Sequence, residues 1–205
     1  MSVERVLFYN LGDTAEDLQE KTLEGLEHAL ASNPKIGDGM KKDRKNVVNS
    51  VKGNTENGKI NANAAINTLT KLQMRYREDD KTPHMKLILT SDELMAPNMT
   101  ALGVQSGVEA EERDVILLSS HGMMLKSTGP EPCSKGINRK ERAEIRMYLL
   151  AYHETAHSRG IEHCDTAGCV HQNMVLEGDR PLANLDKVVC RYIEDGGTIE
   201  VCSKH

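Results

Sequence analysis

The sequence predicts an α/β fold, a mixed and mostly parallel twisted sheet packed on helices, with one long helix at its back and a small Cys-rich carboxy-terminal lobe. Three observations predict it. Met85-Lys86-Leu87-Ile88-Leu89-Thr90 and Val115-Ile116-Leu117-Leu118-Ser119 are short β-prone runs, the second apolar without alternation, as in a strand covered on both faces. Segments with leucines at helical spacing lie between and around them. Four of the five cysteines fall after residue 160.

In chain order, residues 3 to 9 read as an opening strand, and Thr14 to Ala31 as a helix carrying Leu18, Leu23, Leu26 and Leu30 on one side. Residues 32–60 are rich in Asn, Gly and Lys, with turn signals at Asn33-Pro34, Gly37-Asp38-Gly39 and Gly53-Asn54, and are expected to form an exposed insertion. Asn61 can cap a helix running to about Arg77, with Ala65, Leu69, Leu72 and Tyr76 as its apolar stripe. Two Pro and three Gly make Gly122 to Ile137 a loop. Asn138 followed by Glu141 has the pattern of a capping box and opens a helix over about 139–158, with Ile145, Leu149, Tyr152 and Ala156 on one stripe, ending near Gly160. The expected organisation is a single domain over 1–205, with an upper subdomain over residues 1–160 and a small lobe over residues 161–205.

Composition narrows the function. At 205 residues and 38% hydrophobic residues the chain can bury one sizeable core, and with no Trp and one Phe that core is built from aliphatic residues and Met. The net charge of -5 argues against a phosphate-neutralising role, so no nucleic-acid partner is expected. The basic run Lys41, Lys42, Arg44, Lys45 reads as a solvated loop. No segment has the apolar length of a signal peptide or a membrane span, so the expected location is the cytoplasm. In a reducing compartment, clustered cysteines read as metal ligands in preference to disulfides.

The segment His153-Glu154-Thr155-Ala156-His157-Ser158-Arg159-Gly160-Ile161-Glu162-His163 fits H-E-x-x-H-x-x-G-x-x-H at every fixed position. Four residues apart on a helix, His153 and His157 can present their imidazoles to one ion, with Glu154 beside that face. Gly160 can take the left-handed backbone that turns the chain out of the helix, and His163 then closes the set. Three neutral histidines leave Zn²⁺ an open position for water, and Glu154 can take the proton from that water and pass it to a leaving amine. Coincidence is the alternative, and for this composition the full pattern arises by chance in about one shuffled sequence in ten thousand.

Cys164 directly follows the third histidine and Cys169 comes five positions later, giving H-E-x-x-H-x-x-G-x-x-H-C-x-x-x-x-C, which resembles the archaemetzincin family of the metzincin clan. Leu87-Ile88-Leu89-Thr90-Ser91-Asp92-Glu93-Leu94 with Ala96-Pro97-Asn98 is similar to the strand and loop that precede the edge strand in that family. The resemblance implies a metzincin-like zincin fold and two zinc ions per chain, one catalytic and one structural on four cysteines, the first two at the positions of Cys164 and Cys169. The family pattern continues C-x-M and ends in C-x-x-C. Here position 171 is His, the nearest Met is Met174, and Ile193 stands where a partner for Cys190 is expected. The structural site is therefore expected at Cys164, Cys169, Cys190 and Cys202, a closed four-thiolate set. The alternative leaves Cys190 or Cys202 as a buried small residue, with His171, Cys133 or His205 completing the site. Met174 is the Met-turn candidate, its alternative being core filler. By the same resemblance Val115 to Ser119 is expected to be the sheet edge on which an extended peptide docks.

The expected function is a zinc-dependent peptidase, an aminopeptidase or a limited-specificity endopeptidase, acting on peptides or unfolded protein as a monomer. The alternative is a zinc-stabilised peptide-binding or regulatory domain with little or no turnover.

Overall fold

The structure is a computed structural model that describes residues 5–31, 35–38, 41–72, 85–96, 99–106, 115–125, 136–172, 183–199 and 201. Its strands are β1 (Arg5–Asn10), β2 (Lys35–Asp38), β3 (Thr55–Glu56), β4 (Lys59–Asn61), β5 (Met85–Thr90), β6 (Leu94–Ala96), β7 (Met99–Ala101), β8 (Gly103–Gln105) and β9 (Val115–Ser119). The helices are α1 (Glu16–Leu30), α2 (Lys41–Lys52), α3 (Ala62–Lys71), α4 (Arg139–Ser158) and α5 (Ala183–Glu194).

A five-stranded sheet in the order β2-β1-β5-β9-β8 forms the centre. Its first four strands are parallel, and β8 runs antiparallel to β9 at the edge. A second sheet, β3-β4-β6-β7, is small. In the central strands successive side chains enter different cores. Val6, Leu87, Leu89, Ile116 and Leu118 join α1, α4 and α5 on one face, while Leu7, Tyr9, Ile88, Val115 and Leu117 meet α2 and α3 on the other. This two-sided burial explains the unbroken apolar runs: a pleated strand points alternate side chains to opposite faces, and both faces here are dry.

Helix ends follow the sequence signals. The Asn61 side chain accepts from the Ala64 amide at 3.0 Å, and the Asn138 side chain accepts from the Glu141 amide at 2.9 Å, each satisfying a donor that the first turn leaves unpaired. Helix α1 lies close against α4 at Gly25, where a Cβ would stand 2.1 Å from the Tyr148 carbonyl oxygen. Only glycine permits that approach, which brings the amino-terminal helix onto the back of the helix that carries the histidine motif.

Three expectations are corrected. Residues 32–60 are not an exposed insertion: they hold β2, which pairs with β1, together with α2, β3 and β4, and they bury Val47, Val51 and Ile60. The basic run at 41–45 belongs to α2, not to a loop. The edge of the central sheet is β8, not Val115 to Ser119, since β9 is hydrogen-bonded on both sides, to β5 and to β8. In the carboxy-terminal part, α5 packs on α4 and contributes Leu185, Val188 and Val189 to the core, while Val170 before it lies in the same cluster.

Candidate metal centre

Helix α4 buries its stripe of Leu149, Leu150, Ala151 and Ala156 and thereby fixes the face carrying His153 and His157. Its carboxyl end is closed by Gly160 at φ 83°: the Gly160 amide donates to the His157 carbonyl at 2.9 Å and the Ile161 amide to the Ala156 carbonyl at 3.1 Å. These are the paired bonds of a Schellman cap, which requires a left-handed residue at the glycine position. The chain reverses there and returns His163 to the other two histidines.

One ring nitrogen from each of His153, His157 and His163 lies within 4.8 Å of the others. The His153 and His157 Nε2 atoms are 2.9 Å apart, and His163 Nε2 is 3.3 Å from His153 Nε2. The His157 ring stands nearly perpendicular to both others, at 86° and 78°. On the far side of each helical ring a carbonyl oxygen decides the tautomer. His153 Nδ1 donates to the Val170 carbonyl at 2.7 Å and His157 Nδ1 to the Ile161 carbonyl at 2.5 Å. With the protons on Nδ1, both Nε2 atoms carry lone pairs, and two lone pairs 2.9 Å apart repel unless a cation lies between them. Nitrogens each about 2.05 Å from a tetrahedral zinc would be about 3.3 Å apart, close to the spacings seen. The donor set therefore fits Zn²⁺.

The electrostatics agree. Burial pushes the His153 pKa well below its ordinary value, with His157 adding to the effect, and burial followed by His157 lowers that of His163. Both rings are thus held neutral, the state in which an imidazole can ligate. Glu154, next to the first histidine, is buried, and burial pushes its carboxyl up to about 8.

The cysteines are placed less completely. Cys164 and Cys169 are buried, outside any disulfide, in a closed loop: the Cys164 amide donates to the His171 carbonyl at 3.0 Å and the Gln172 amide to the Cys169 carbonyl at 2.9 Å. Cys190, on α5, is buried and disulfide-bonded, so its sulfur is not a thiolate in this state. Cys202, Met174, Cys133 and His205 lie outside the described residues. Among the described residues, the three histidines are the only potential metal ligands gathered in a group of three or more.

Several participants escaped sequence reasoning. The Val170 and Ile161 carbonyls that orient the ligands are backbone atoms and leave no residue signature. His171, at the position where the family pattern has Met, is buried with its ring 6.5 Å from that of His153 at 29° and 6.0 Å from that of Tyr152. The sequence named it only as an alternative ligand of the cysteine site, not as a neighbour of His153.

No protein-family model matches the sequence, and no curated protein matches it. Solved structures do match the fold. The crystal structure of archaemetzincin from Methanopyrus kandleri aligns with a TM-score of 0.57 at 18% identity, covering 91% of this chain and 87% of that one. Archaemetzincin from Archaeoglobus fulgidus, complexed with malonate, aligns at 0.53 and 14% identity over 89% and 91%. A zinc-dependent peptidase from Methanocorpusculum labreanum aligns at 0.57 and 16% identity over 98% and 96%. The chain has the archaemetzincin-like fold.

Proposed function

We propose that this chain, built on the archaemetzincin-like fold, is a zinc-dependent peptidase. The observation that carries the reading is the convergence of three histidines, two of them with their lone pairs turned onto one point by backbone carbonyls. His153, His157 and His163 would hold the ion. Zinc bound there supplies Lewis acidity, polarising a substrate carbonyl and acidifying a water. Glu154 accepts the proton of the attacking water on its carboxylate and returns it to the leaving amine nitrogen. A buried carboxylate whose pKa is pushed up to about 8 is a stronger base than an exposed glutamate, as accepting that proton requires.

The substrate is an extended peptide or unfolded segment adding along β8, the edge strand that packs beside α4. Cleavage by an aminopeptidase or by a limited-specificity endopeptidase fits equally with this edge. No helix among the described residues is long and apolar enough to cross a membrane. The proposed enzyme works as a monomer in the cytoplasm, with neither nucleic acid nor membrane as partner. The reading also includes a second, structural zinc on Cys164, Cys169, Cys190 and Cys202, which needs Cys190 in its reduced form. Met174 remains the Met-turn candidate.

The test is Glu154→Gln in zinc-replete protein assayed on a peptide library. Zinc should stay bound while turnover falls by a factor of about 100 or more. Undiminished turnover would refute the assignment of Glu154, and peptide binding by the wild type without hydrolysis would favour a binding domain.

A further inference from the structure

The Glu154 carboxyl reaches the backbone of the edge strand at Gly103. A Cβ on Gly103 would stand 2.7 Å from Glu154 Cγ, 2.8 Å from Oε1 and 2.9 Å from Cδ, distances that real Cβ atoms essentially never show. Either the strand or the carboxyl would have to yield. The strand is held on both sides of the contact. Gly103 pairs with Leu118, the Leu102 carbonyl accepts from the Ser119 amide at 2.8 Å, and the Leu102 side chain is buried in the core. Further along, the Ser106 amide donates to the Val115 carbonyl at 2.9 Å and the Ser106 hydroxyl accepts from the Val115 amide at 3.0 Å. Helix α4 is held as firmly, with Leu150, Ala151 and Thr155 fully buried. The end of the Glu154 side chain is the part free to move.

The backbone at Gly103 does not itself call for glycine. Its φ lies outside the left-handed range and it sits in regular antiparallel register. We propose that Gly103 is a positioning residue for Glu154: the missing side chain leaves the space in which the carboxyl sits, so the edge strand that would take the peptide also aims the base. The proposal deepens the peptidase reading and rests on it for its catalytic consequence. Any side chain at 103 would turn the carboxyl away from its place while leaving the three histidines untouched. Misplacement by about 1 Å is enough to cost on the order of a hundred-fold in rate.

The experiment is Gly103→Ala, studied by crystallography of the zinc-loaded protein, by zinc content and by kinetics. The Glu154 carboxyl should be displaced from its wild-type position with the three histidines and the zinc content unchanged. The kcat should fall ten-fold or more while KM changes less than two-fold. In a Glu154→Ala background, Gly103→Ala should alter the residual rate by less than two-fold. A carboxyl that stays in place, or an equal further loss in the Glu154→Ala background, would overturn the proposal. Should Gly103→Ala fail to fold, its combination with Glu154→Ala must restore folding, and failure of both also overturns it. If the wild type hydrolyses no peptide, the peptidase reading fails and the position of the carboxyl in the variant crystal alone decides the role of Gly103.

Discussion

Arg146 and Asp186 form a two-pronged ion pair inside the protein: Nε donates to Oδ1 and Nη2 to Oδ2, each at 2.8 Å. Arg146 is 0% exposed and lies on α4 seven residues before His153, while Asp186 belongs to α5. The remaining Arg146 nitrogen, Nη1, donates to the carbonyls of Met123 at 2.6 Å and Leu125 at 2.9 Å. One guanidinium thus ties the histidine-bearing helix to the carboxy-terminal helix and to the turn after β9. A single truncation, Asp186→Ala, leaves a buried cation without its counter-charge and should cost about 3–5 kcal/mol in urea unfolding. The pair Arg146→Met with Asp186→Leu should recover most of that loss, and an equal loss in the double variant would show that the pair itself supplies the stability.

The pH dependence of the metal-free protein should show two opposing slopes. Glu154 is raised by burial to about 8, so its contribution to stability is complete below the unfolded value near 4.5 and is lost as pH rises through about 8. His153 and His163 are lowered by burial, so theirs is complete above 6.5 and is lost as pH falls below it. Between about pH 6.5 and 9 the Tm should therefore fall, by at least about 3 °C if the Glu154 effect amounts to about one kcal/mol or more. Glu154→Gln should flatten this alkaline slope and leave the acid one. A variant with an unchanged alkaline slope would assign the loss elsewhere.

Metal content separates the two proposed zinc sites. Purified in reducing buffer, the wild type should carry two zinc per chain by elemental mass spectrometry, and His157→Ala should carry one. A wild type with one zinc that survives His157→Ala would leave the cysteines as its holders and remove the histidine centre from the account.

Gly160→Ala should weaken zinc binding more than it weakens the fold. At φ 83° an alanine costs about 1–2 kcal/mol of backbone strain, although nothing lies within 4 Å of the added Cβ. Relief of that strain would shift His163, the ligand delivered beyond the turn. Chelator competition should show a zinc affinity lowered by about ten-fold or more, with the Tm down by only a few degrees. Unchanged affinity would mean that the turn tolerates a right-handed residue and that His163 is placed by other contacts.

Strand β9, helix α1 and the capped start of α4 were legible because each is set by neighbours close in sequence: an apolar run, a leucine stripe, an Asn followed by Glu at the third position. The segment 32–60 was misread for the same reason in reverse. Val47, Val51 and Ile60 are too few to make a local pattern, yet each is buried once β2 is placed beside β1 and α2 is laid on the sheet. The edge strand β8 has three residues and no apolar signature of its own, and its identity depends on pairing with β9.

The sequence alone determined the grouping of the three histidines, because His153 and His157 lie one turn apart on α4 and Gly160 caps that helix just before His163, where spacing is geometry. It also determined the two-sided burial of β9. Only the tertiary structure decided which carbonyls orient the imidazoles, that His171 stacks toward His153, and that Gly103 faces the Glu154 carboxyl. Most of those contacts join atoms far apart in the chain, many of them backbone atoms that every residue carries. No residue type announces them; they exist only after the sheet and helices have packed.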